Sequence, residues 1–282
     1  GTALIAAGDP ALEYVQLVSF GCGHDAYLSD EIGRLMHEAS GGSKTPLILK
    51  VDESDATGPL RIRVRSFVET VDARRAARSR TFEPFAEHVL PDPYPVKFTK
   101  ADRRDKVVLV PNTSHAFAKL MSATFCRQGV RAEALDVGGE EAIRLGKKYV
   151  HNDICFPAQM TVGESLAALM SGEYDDAEVA VATGKYIGDC RLTHYAALLR
   201  KALDDAGFSH VPIITNDDVD AHDIHPGFKM SVPAAIRTAV GLPMIDALEA
   251  LLRRIRPYEL EPGSANAAFD RALDVTMDGM RE

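Results

Sequence analysis

The strongest constraint on this chain is an alternation of short β-prone runs with helical stretches over brief, Gly- and Pro-marked links. Residues 106–111 form an apolar run of strand length, and 114–128 follow with Phe117, Leu120, Met121, Thr124 and Phe125 on one helical face, closed by Gly129. The pattern continues with a strand over 131–137, helices over 139–145 and 157–170, and a strand over 179–182. A helix over 193–206, ended by Gly207, then leads to a strand over 211–214. Strands alternating with helices over short links specify a parallel, doubly wound α/β layer. Apolar-periodic helices over 232–256 and 269–280 complete this part.

A smaller version precedes it. Residues 14–18 and 46–51 read as strands around a helix over 30–39, with Ser29 or Asp30 as its N-cap. Gly58-Pro59 marks a turn, and a helix follows over 61–71. Residues 72–80 are dense in Arg and Ala, helical or solvated, and 91–95 hold three prolines and cannot be helical. The expected fold is therefore α/β, with Rossmann-like parallel sheets in two unequal parts. These are a strand–helix–strand part over 1–71 and a Rossmann-like domain over 99–282 with C-terminal helices, joined by an Arg- and Pro-rich linker over 72–98.

Composition agrees. With 282 residues, 46% of them hydrophobic and 26% charged, the chain can bury such a core without disulfides or a structural metal. Lys and Arg number 32 against 41 Asp and Glu, a net charge of −9, so no general attraction to nucleic acid is expected. No apolar run reaches the roughly 18 residues of a membrane span, and no charged and apolar leader is visible. The start at Gly1-Thr2 is read as an artificial boundary, and the chain as a C-terminal piece of something longer.

Four cysteines, Cys22, Cys126, Cys155 and Cys190, lie far apart, without a C-x-x-C pair. Cys22 sits between glycines in Ser19-Phe20-Gly21-Cys22-Gly23-His24-Asp25, where backbone can approach a bulky ligand closely. Cys155 and Cys190 precede expected helices, as Cys22 does, where the positive end of the helix dipole favours an anion. Thiolates gathered from distant loops suit an iron–sulfur cluster or zinc, whereas a buried cysteine often simply packs. Position alone leaves both readings open for these three. Cys126, in the last turn of a helix, is read as packing.

A short internal echo places Cys22 and Cys190 alike, each in a strand-to-helix link at the carboxyl edge of a sheet, where open α/β sheets bind ligands. Other motifs fail. Gly42-Ser43-Lys44-Thr45 lacks the glycine that a phosphate-binding loop needs before its Lys and is read as a loop. His222-Asp223-Ile224-His225 is read as a solvated loop, and Arg74, Arg75, Arg78 and Arg80 as a solvated helix face or linker.

Several segments in register resemble one family. Ser19-Phe20-Gly21-Cys22-Gly23-His24-Asp25-Ala26 is similar to the S-F-G-C-G-x-D-A motif of the acyl-CoA dehydratase activase-related proteins. These are anaerobic relatives of the 2-hydroxyglutaryl-CoA dehydratases and benzoyl-CoA reductases. Residues 149–158, Tyr-Val-His-Asn-Asp-Ile-Cys-Phe-Pro-Ala, resemble its Y-V-x-N-D-x-C-[YF]-P-A motif. Further matches are Cys190-Arg191 before a Tyr-containing helix, Ala206-Gly207-Phe208 before Val211-Pro212, and Arg256-Pro257-Tyr258-Glu259. Residues 184–195 depart from the family's Q-T-G-G-G-C-R-A-T-N-Y by losing two glycines and the Asn, while keeping the thiol.

The resemblance implies a [4Fe-4S] cluster held by Cys22, Cys155 and Cys190, lost on aerobic purification. Asn152, Asp153 and Arg191 would stand beside the ligands as polar neighbours or, equally, as helix caps. It further implies a low-potential, cytoplasmic electron-transfer module, partnered by ATP-dependent activase domains of the same or another chain, with acyl-CoA as a possible substrate. In such systems one electron passes to a thioester carbonyl, giving a ketyl radical that expels a β-linked hydroxyl. The competing expectation is a cofactor-free module that docks activase domains, its cysteines merely packed. A CoA- or nucleotide-sugar-binding domain at the same sheet edge ranks last, for want of a phosphate-loop signature.

Overall fold

The computed structural model describes residues 1–18, 24–51, 57–77, 94–151, 154–184, 191–215 and 225–281, with the side chains of His24, Ala26, Arg191 and Thr193 left aside. The fold is α/β, with two parallel sheets of two and four strands, Rossmann-like and in two parts. One compact unit comprises Gly1–Pro91 with His151–Cys155 and Asp189–Arg191; the other comprises Asp92–Val150, Phe156–Gly188 and Leu192–Glu282.

The first unit runs α1 (Thr2–Gly8), β1 (Val15–Val18), α2 (His24–Ala39), β2 (Leu47–Lys50) and α3 (Thr57–Ala77). β1 and β2 pair in parallel, Val15 opposite Leu47 and Val18 opposite Lys50, and α2 supplies the crossover that parallel neighbours need. Ala3, Ala6 and Ala7 of α1 bury against Met36 of α2, with Ile32 and Tyr14 beside them. Small alanines let the two helix backbones come close.

Two expected boundaries move. α2 starts at His24 and runs through Ser29 and Asp30, so neither caps it; the Ser29 hydroxyl donates to the Asp25 carbonyl at 2.6 Å instead. Gly58-Pro59 lies in the first turn of α3 rather than in a turn before it. Proline is tolerated there because its missing N–H would find no intrahelical acceptor.

Two basic side chains brace this unit. Lys44 is 1% exposed, and its ammonium donates to the carbonyls of Ala6 at 2.6 Å, Asp9 at 2.5 Å and Leu12 at 2.7 Å. Its segment is a loop, as expected, but its Lys is the core of that loop. Arg74 is not on a solvated face: it pairs with Glu13 at 3.1 Å and donates to the Ser43 carbonyl at 3.1 Å.

In the second unit, α4 (Asp102–Asp105) precedes β3 (Val107–Val110), α5 (His115–Arg127), β4 (Ala132–Ala134), α6 (Glu140–Tyr149) and α7 (Phe156–Met170). Next come β5 (Val179–Thr183), α8 (Tyr195–Asp205), β6 (Ile213–Thr215), α9 (Val232–Ile255) and α10 (Ser264–Arg281). The strand order is β4-β3-β5-β6, all parallel, so the direction of winding reverses between β3 and β5.

Side-chain alternation explains why both faces are covered. Leu109, Val181 and Ile213 stand in one row across the sheet, all at most 1% exposed. Val108, Val110, Ala180, Ala182 and Ile214 form the opposite face and pack with Ala118, Met121 and Phe125 of α5. A parallel sheet buried on both faces reads as continuous apolar runs, which is what residues 107–110 and 179–182 are. α9 and α10 close the α5 side through Leu120, Ile245, Leu273 and Met277.

Ser114 caps α5, its side chain accepting from Phe117 N, and Gly129 after it takes φ +77°, a conformation that disfavours side chains. His225 corrects the solvated-loop expectation at its one described end. It is 2% exposed, and its ring meets Tyr94 edge-on at 5.5 Å.

Arg256-Pro257-Tyr258-Glu259 acquires a structural role. The Glu259 carboxylate accepts from Gly263 N at 2.8 Å and Ala265 N at 3.0 Å, capping α10, and these two backbone bonds hold its pKa below the ordinary value of 4.5. Folding therefore favours the charged form, so the cap contributes above the unfolded pKa and is lost as pH falls through the lower folded value. Glu259→Ala is expected to speed amide exchange in the first turn of α10 at neutral pH. The difference from wild type should vanish below the pH at which Glu259 protonates, as followed by backbone NMR. A pH-independent difference would refute the capping role.

Candidate functional site

Of the expected ligands, Cys22 and Cys190 lie outside the described residues, as do Asn152 and Asp153. Cys155 is half-buried and is the last residue before α7, as the sequence predicts. A turn leads into it, Ile154 N donating to the His151 carbonyl at 3.0 Å. Arg191 begins a short 3-10 turn, Arg191–His194, that runs into α8.

The described residues of both excursions, His151, Ile154, Cys155 and the Arg191 backbone, belong to the first unit although each interrupts the chain of the second. Among the described residues no three His, Cys, Asp or Glu side chains converge as a metal site.

Cys126 behaves differently. Its thiol donates to the Ala132 carbonyl at 3.4 Å, joining the end of α5 to the start of β4. Tyr27, near the start of α2, is pushed up to about 12 by burial and then by Glu31, so its hydroxyl stays neutral at physiological pH.

At the carboxyl edge of the four-stranded sheet lies a slot of about 60 Å³, lined by the ends of β3, β5 and β6. Phe117, Met121, Phe125 and Phe228 form its apolar wall, and Thr113, Thr161, Thr183, Thr215 and Tyr195 bring hydroxyl-bearing side chains. It occupies the switch point between β3 and β5, where open α/β sheets take their ligands. Its lining carries no charge, and its volume is well below the several hundred Å³ of a whole-ligand pocket. The slot therefore suits a short, uncharged, largely apolar group.

Glu164 shapes this edge and went unnoticed in the sequence. It is 5% exposed in the middle of α7, and its carboxylate accepts from Asn112 N at 2.8 Å, Asn112 Nδ2 at 3.3 Å and Gly138 N at 2.9 Å. One carboxylate thus clamps the links that follow β3 and β4. Asn112 Nδ2 also donates to the Leu135 and Asp136 carbonyls, at 2.9 and 3.1 Å. The available signal was that Glu164 is the lone charge in an otherwise uncharged helix.

Compared with protein-family models, with curated proteins and with solved structures, the chain has no significant match in any of the three.

Proposed function

We propose that this chain is an iron–sulfur cluster-binding, low-potential electron-transfer module of a 2-hydroxyacyl-CoA dehydratase or activase-related system, with Cys22, Cys155 and Cys190 as the thiolate ligands. One observation carries the reading. The described residues beside Cys155 and Cys190 group with the unit whose chain contains Cys22, although both segments depart from the middle of the other unit. Each of the two segments carries a motif cysteine.

The donor set fits the group: three thiolates suit iron, and a cluster so held supplies one-electron transfer. Asn152, Asp153 and Arg191 are sequence neighbours of the ligands and would donate or accept hydrogen bonds beside them. The uncharged, apolar slot matches the chemistry of an acyl group, and the activase domains remain the proposed source of electrons.

The test is anaerobic reconstitution of the whole chain with iron and sulfide. Stoichiometric iron and sulfide with a broad charge-transfer band are expected in wild type and in Cys126→Ser. Each of Cys22→Ser, Cys155→Ser and Cys190→Ser should lose most of that band. A colourless wild type, or iron content unchanged across all the variants, would overturn the proposal. Retained binding to activase domains in the triple serine variant would then support the docking alternative.

A further inference from the structure

A second cavity, remote in sequence from every cysteine but Cys126, has a different chemistry. It is about 830 Å³, open to solvent, and formed where α4, the end of α5 and the start of α9 meet. Arg103, Arg127, Lys229 and Arg237 all line it, and its lining residues include no carboxylate. In a chain of net charge −9, four cations around one cavity are a concentration of positive potential that the composition does not predict.

Two features shape the site. Ser231 caps α9, its side chain accepting from Ala234 N at 3.3 Å, so the positive end of a 24-residue helix faces the same region. Gln128 fixes the two walls together, its Oε1 accepting from Ser231 N at 2.9 Å, while Arg103 donates to the Gln128 carbonyl at the end of α5. That contact covers the negative end of α5, which would otherwise oppose an anion.

We propose that this cavity binds a di- or polyphosphate group of a small molecule. Guanidinium groups match phosphate oxygens in pairs, and one phosphate would engage only part of a four-cation lining. Two linked phosphates offer more acceptor oxygens to those cations than one does. The proposal stands on the second unit alone and is independent of the cluster.

Inorganic pyrophosphate is the probe, titrated by calorimetry into the whole chain, with phosphate and sulfate as comparisons. Saturable one-to-one binding is expected, tighter for pyrophosphate than for either single anion, and weakening with salt. Arg127 and Lys229 are exposed, so the double variant Arg127→Gln, Lys229→Gln should keep its fold by circular dichroism. It should bind pyrophosphate at least about tenfold more weakly. Absence of saturable binding, equal affinity for sulfate, or an unchanged double variant would each overturn the proposal.

Discussion

Lys44→Met is expected to lower the stability of the first unit by about 3 kcal/mol and to release α1 from it. The ammonium offers three donors, and three carbonyls, those of Ala6, Asp9 and Leu12, receive them at 2.5–2.7 Å. Ala6 and Asp9 belong to the end of α1, whose last carbonyls lack helical partners. Lys44 thus performs the role of a C-cap from a distant loop. Methionine fills similar volume but accepts and donates nothing to those oxygens, so they must find water by opening the loop. Hydrogen exchange across residues 2–12 measures this directly. Unchanged protection, with an unmoved urea midpoint, would mean that the carbonyls rehydrate without cost and that Lys44 braces nothing.

Gly163→Ala should cost about 2 kcal/mol net, against the usual direction of Gly→Ala in a helix. A Cβ on Gly163 would lie 1.9 Å from the Ala142 carbonyl oxygen, and one on Gly146 would lie 2.1 Å from that of Gln159. Both obstacles are backbone, so α6 and α7 must separate rather than a side chain rotate. Helix propensity returns about 1 kcal/mol, while overpacking takes about 3 kcal/mol. The clash therefore wins. Gly33→Ala in α2, where a Cβ meets nothing within 4 Å, should stabilise by up to about 1 kcal/mol. Urea unfolding of both variants, with unchanged slopes, gives the comparison. Equal signs for the two substitutions would show that contact between the helix backbones does not decide the effect. Because Glu164 follows Gly163, separation of the helices should also loosen its clamp on the links after β3 and β4.

Much of the architecture was legible because its signals are local. Residues 107–110 and 179–182 are apolar on every position, and a strand buried on both faces requires that. Ser114 and Gly129 bracket α5 with a cap and a left-handed turn, both of which depend on a few neighbouring atoms. Gly58-Pro59 misled for the same reason: a pair that marks a turn in isolation also fits the first turn of a helix, and the following apolar positions decide which. α1 was not anticipated, since a helix of seven residues has little stability alone and depends on burial against Met36.

The site divides along similar lines. The sequence by itself determined the α/β alternation, the residue types available as ligands and the position of Cys155 just ahead of a helix. Tertiary structure alone decided that His151, Ile154 and Cys155 group with the first unit, that Glu164 joins two strand ends, and that four cations line one cavity. Each of these depends on residues brought together across tens of positions. Hydrophobic periodicity reports which face of one element is buried; it contains no term for which distant side chains share that burial.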